Sequence, residues 1–130
     1  MKLNDLRLGN KLLATDTNEV CTIISFSGKY ILCDSGTRSG QALFNYFKPI
    51  PLTKEWFAKL GMKYYSLPTK SDNKIGYYTL KYGNKFKINS SDGKYSFLNF
   101  RKEIKYVHEL QNLYFALTSE ELSLKTEIEP

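Results

Sequence analysis

Between Gly9 and Gly40 the chain never runs far without a turn residue, and that spacing admits short strands joined by tight turns rather than helices. Residues 6–8 form a first apolar stretch that ends at Gly9-Asn10, and residues 11–15 a second that ends at Asp16-Thr17-Asn18. Residues 20–26 are rich in β-branched side chains and give the strongest strand signal; Ser27-Gly28 turns them back into residues 30–33. Asp34-Ser35-Gly36 turns again, a Gly/Ser-containing loop follows to Gly40, and residues 42–47 are closed by Pro49 and Pro51, which cannot donate to a central ladder. Residues 1–52 are therefore expected to form a small SH3-like β-barrel or a curled sheet. With Ser27-Gly28 as a two-residue turn, Thr22 rather than Cys21 falls opposite Cys33, and the two thiols point to different faces. Two cysteines are too few for a disulfide scaffold or a zinc site, so buried free thiols are expected.

The second half changes character. Thr53 suits a helix N-cap, Leu52 and Phe57 occupy hydrophobic-staple positions, and Glu55, Lys59 and Gly61 complete a short helix that Trp56 and Leu60 anchor to a sheet. Residues 63–100 read as an antiparallel meander, interrupted by a polar loop with Pro68. A three-residue loop of Gly83, Asn84 and Lys85 would pair Tyr82 with Phe86 and Leu80 with Ile88 on an apolar face, and Lys81 with Lys87 on the other. Residues 95–100, apolar on both faces, suggest an inner strand. Val107, Leu110, Leu113, Tyr114 and Leu117 follow helical spacing and should pack on the sheet, and residues 118–121 resemble a capping box for one further turn. The fold class expected is α+β: an SH3-like module over 1–52, a helix, β-meander and helix over 53–122, and an acidic, fraying tail over 123–130.

Charge is distributed unevenly along the 130 residues. Residues 1–61 carry 8 Lys/Arg against 5 Asp/Glu, residues 62–105 carry 10 against 3, and residues 106–130 carry 1 against 5, giving +3, +7 and −4. A basic, tyrosine-rich middle favours anionic partners, although lysines on strand faces also keep sheet edges soluble. No apolar run is long enough for a membrane span and no signal-like succession opens the chain, so a cytoplasmic location is expected. His108 is the one histidine and has no HExxH or CxxC companion, Asp5, Asp16, Glu19 and Asp34 sit at turns where carboxylates cap backbone, and no phosphate-binding glycine motif occurs. No catalytic residue, metal site or cofactor is expected.

Binding has more to work with. A nucleotide needs cations for phosphate, an aromatic platform for the base and amides that read polar edges. Lys81, Lys85, Lys87 and Arg101 are candidate cations, Tyr77, Tyr78, Tyr82 and Phe115 candidate platforms, and Gln111 and Asn112 candidate amides, with His108 on the same helical stripe.

Three segments, LRLGN at residues 6–10, PIPLTKEW at 49–56 and IKYVHELQNLYFALT at 104–118, together resemble a family of small proteins of Bacteroidetes phages and prophages. Gly61-Met62 stands where that family commonly has Gly-Phe, and the basic middle is longer. The resemblance implies a protein made in the cytoplasm of an infected or lysogenic host and encoded among accessory phage genes. Joined to the composition, it leads to the expectation of a non-enzymatic homo-oligomer that binds an anionic ligand and sequesters a nucleotide signal of host antiviral defence. The alternatives are a nucleic-acid-binding module and a protein-interaction module that engages a host protein.

Overall fold

The computed structural model describes residues 1–66, 75–80, 83–97, 102–122 and 124. It is mixed α+β, with two antiparallel sheets and two helices among the described residues. Two compact units divide the chain: residues 1–51 with 106–121, and residues 52–105 with 122–130. The helix expected to pack on the meander thus belongs with the N-terminal sheet.

In the first unit the strands are β1 (Lys11–Ala14), β2 (Val20–Ser27), β3 (Tyr30–Asp34), β4 (Ser39–Leu43) and β5 (Phe47–Pro49), ordered β4-β3-β2-β1-β5. Residues 6–8 are not a strand; a 3-10 turn at Leu3–Asp5 precedes them, and a second at Phe44–Tyr46 divides the apolar run expected to be one strand. Pro49 is tolerated because β5 lies at an edge, where a missing N–H breaks no ladder. The hairpin turn falls at Gly28-Lys29, since Ser27 pairs with Tyr30, and an irregularity at Ile24 shifts the register so that Ile23 pairs with Cys33 and Thr22 with Asp34. Cys21, Ile23 and Cys33 therefore share one face, with Leu6, Leu12, Ile31 and Phe47 in the same core. This corrects the expectation that the thiols point apart: an unforeseen bulge shifts the ladder by one residue, and a one-residue shift exchanges faces.

Helix α2 (Val107–Thr118) has Val107, His108, Leu110 and Gln111 buried. Its N-terminus is held by the Val107 N–H on the Ile50 carbonyl (2.9 Å) and by Glu109, whose carboxylate accepts from the Tyr106 N–H (3.0 Å). It stops at Ser119, which adopts φ 61°, while Thr118 Oγ1 accepts from the Glu120 N–H (3.1 Å). Among the described residues no further helical turn follows, so the apparent capping box at 118–121 acts as a helix end.

In the second unit, α1 (Lys54–Lys59) begins as its sequence dictates, with Thr53 Oγ1 accepting from the Trp56 N–H (3.4 Å) and Gly61 taking φ 80° beyond its end. The sheet is β6 (Met62–Ser66), β7 (Ile75–Leu80), β8 (Gly83–Ser91) and β9 (Lys94–Phe97), in that order. The first register expectation fails: Leu80 pairs with Gly83, and after a shift Thr79 pairs with Lys87 and Tyr78 with Ile88. Ladder irregularity absorbs residues that a simple loop count assigns to the turn. Strand β9 is an edge strand rather than an inner one, its outer side bridged at Ser96–Glu103. The expected pairing of Tyr82 and placement of Lys81, and residues 98–100, lie outside the described residues, as does the tail at 123 and 125–130.

Candidate functional site

The polar stripe of α2 is a set of internal fastenings. Gln111 is 1% exposed; its Oε1 accepts from the Lys11 N–H (2.9 Å) and its Nε2 donates to the Gly9 carbonyl (3.1 Å). Asn112 Oδ1 accepts from Asn10 Nδ2 (2.8 Å), and Asn112 Nδ2 donates to the Asp5 carbonyl (2.8 Å). A buried amide such as Gln111 is stable only when so paired, and the two amides here satisfy groups of residues 5–11, which lead into the first strand. The Arg7 guanidinium lies 4.1 Å from the Phe115 ring centroid and grips the Glu121 carboxylate with both terminal nitrogens. His108 is buried, stacks on Tyr106 at 5.9 Å, and its Nδ1 makes no hydrogen bond. Desolvation holds its pKa below the ordinary value. His108, Gln111, Asn112 and Phe115, all nominated from the sequence as ligand contacts, are thus placed in internal contacts of the first unit.

The same unit holds a cleft of about 310 Å³. Its charged groups answer one another: Arg38 pairs with Glu19 at 2.8 Å, and a hydrogen bond from Tyr46 lowers the Asp16 pKa and raises that of Tyr46. Cys21 and Cys33 line the cleft; Cys21 Sγ donates to the Leu12 carbonyl (3.5 Å), and the neighbouring Cys21 together with burial pushes the Cys33 thiol up. No group of three His, Cys, Asp or Glu among the described residues could hold a metal.

The second unit presents two different sheet faces. On the inner one, Tyr78 stacks on Phe57 (centroids 3.9 Å apart, planes within 8°), with Tyr64 and Tyr95 edge-on at 5.0 and 6.1 Å. These three tyrosines border a mostly apolar cleft of about 680 Å³ beside α1, and burial raises the pKa of Tyr78 and Tyr95. Tyr78, nominated as a platform, is consequently a core residue whose ring face is already covered.

The outer face carries the chemistry sought. The register places Tyr65 opposite Tyr77 and Tyr77 opposite Asn89, with Lys63, Thr79 and Lys87 in the next row. Tyr65 and Tyr77 stack with centroids 5.5 Å apart and planes at 21°. Lys63 Nζ lies 5.7 Å from the Tyr65 ring and Lys87 Nζ 4.9 Å from the Tyr77 ring. Lys63, Tyr65, Lys87, Asn89 and Lys94 are exposed and Tyr77 half-buried. Among the described residues of this sheet the acidic ones are Asp92, in the β8–β9 turn, and Glu103, bridged beyond β9 at the edge away from the tyrosines.

Of the other nominated residues, Lys87 lies on this face, Lys81, Tyr82 and Arg101 fall outside the described residues, and Lys85 is described only as part of β8. Lys63 and Tyr65 were missed. Their signal is the pair of dipeptides Tyr64-Tyr65 and Tyr77-Tyr78, each of which must put one ring on either face of a strand. Compared with known families, with curated proteins and with solved structures, the chain matches none of them.

Proposed function

We propose that this chain is a non-enzymatic phage accessory protein of the host cytoplasm that binds an anionic, base-bearing ligand on the outer face of its second sheet. In its first form the ligand is a free nucleotide, and the protein sequesters a signal of host antiviral defence as a homo-oligomer. The observation that supports this is the repeated pairing of an accessible tyrosine ring with a lysine ammonium, Tyr65 with Lys63 and Tyr77 with Lys87. Rings take a base by stacking and ammonium groups take phosphate, and neither contact needs a catalytic group. A second reading, polymerised nucleotide, is favoured by the repetition of the ring-and-ammonium pair on neighbouring strands, since one free nucleotide offers a single base.

The first unit is read as SH3-like. Its support is the order β4-β3-β2-β1-β5, in which the last strand returns beside the first through a 3-10 turn. Among the described residues no helix is long and apolar enough to cross a membrane.

Native mass spectrometry of protein purified from bacterial cells, before and after addition of nucleotides, tests the reading and counts subunits. Retention of an intact nucleotide or oligonucleotide is expected. Bare protein in both spectra, or recovery of a chemically altered ligand, overturns it.

A further inference from the structure

Resting on that reading, we propose that the outer face of the second sheet is a single-stranded nucleic-acid platform, with Tyr65 and Tyr77 as base-stacking rings and Lys63 and Lys87 as phosphate contacts.

Two observations choose a strand over a free nucleotide. The ring-and-cation unit occurs twice, on adjacent elements of the ladder: Tyr65 and Lys63 on β6, Tyr77 on β7 with Lys87 beside it on β8. One free nucleotide has a single base and needs only one such unit, whereas a strand presents base and phosphate in repetition. The second observation is the spread of the two rings and both ammonium groups over three neighbouring strands, β6, β7 and β8. A small ligand gains affinity from burial of most of its area, while a strand gains it from successive stacking and phosphate contacts along an open, basic track. That track continues to Lys94, which pairs with Ser91 in the row beyond Asn89 and is exposed.

The lysines have a double role. Without ligand each ammonium rests over a tyrosine ring, a contact of modest strength at an exposed site. Its four-carbon stem lets the ammonium swing to a phosphate and leave the ring face to a base. Stacking tolerates any base, so the platform selects single strands over duplex, whose bases are already stacked, and shows little sequence preference.

The test is fluorescence anisotropy with a labelled oligothymidylate of about ten nucleotides, within the usual span of one such platform, competed by thymidine monophosphate and by the same sequence as duplex. The full chain is compared with Tyr65→Ala, Tyr77→Ala, Tyr77→Phe and Lys87→Glu, each checked for an unchanged thermal melt. Binding of the oligonucleotide at low salt is expected, weakening as salt rises. Each Tyr→Ala change should lower affinity roughly 5- to 100-fold, Tyr77→Phe should retain it because stacking uses the ring, and Lys87→Glu should flatten the salt dependence. Monophosphate binding as tight as the oligonucleotide overturns the strand platform and leaves the nucleotide reading standing. Binding of neither overturns both. Oligonucleotide binding that both Tyr→Ala changes leave intact overturns the assignment to this face.

Discussion

The two units use similar residue types for opposite ends. In the first, amides and imidazole are taken up by internal contacts and an exposed phenyl ring by a guanidinium: Gln111 and Asn112 fasten α2 to residues 5–11, and Arg7 covers Phe115. In the second, aromatic and cationic groups appear on both sides of one sheet, with Tyr78 and Phe57 in the core and Tyr65 and Tyr77 outside. The difference teaches that the chemical type of a side chain does not distinguish a ligand contact from a packing contact. What distinguishes them is whether the side chain is enclosed together with its partners, as Gln111 is, or stands exposed with only a neighbouring ring and ammonium beside it, as Tyr65 does.

Truncating the second unit's aromatic core should produce the largest effect. Phe57 is fully buried between Tyr78 and Tyr95, so Phe57→Ala should cost about 3–5 kcal/mol through lost burial and the cavity left behind. Hydrogen exchange should show β6 to β9 losing protection; retained protection there would mean that the Phe57–Tyr78 stack does not organise this sheet.

A smaller effect is expected in the first unit. Gln111→Ala removes its hydrogen bonds with the Lys11 N–H and the Gly9 carbonyl and should cost about 2–3 kcal/mol, with lost protection in β1 and α2. An unchanged melting temperature accompanied by lost ligand binding would reverse the comparison and return α2 to the ligand site.

The smallest effect is a pH dependence at His108. Burial disfavours its charged form, the N-terminal ammonium adds to that, and Glu109 and Asp5 oppose it. The unfolded chain therefore takes up this proton more readily, and its contribution makes the protein less stable as pH falls below the ordinary histidine value of 6.5 toward the lower folded value. His108→Gln should make the denaturation midpoint fall less steeply over that interval. An identical slope in the variant would show that other groups set it.

Much of the local structure was legible because its causes act within a few residues. Thr53 and Gly61 mark the ends of α1 through a cap and a left-handed turn, and the apolar spacing from Val107 to Leu117 marks α2. The candidate site was legible only in kind. Lysine and tyrosine in the middle of the chain pointed to an anionic, base-bearing ligand, but Tyr78 and Tyr77 cannot be told apart until the strand's inner face is known.

By itself, then, the sequence determined where most strands and turns fall, where both helices run, and that the basic residues concentrate between 62 and 105. Tertiary structure alone decided that Cys21 and Cys33 share a face, that α2 joins the N-terminal sheet, and that Tyr65 and Tyr77 stand together outside. The reason is the two-residue period of a strand: composition is unchanged by a one-residue slip, while every side chain beyond it changes sides. Irregularities at Ile24 and after Thr79 make such slips, and no turn signal in the sequence marks either of them.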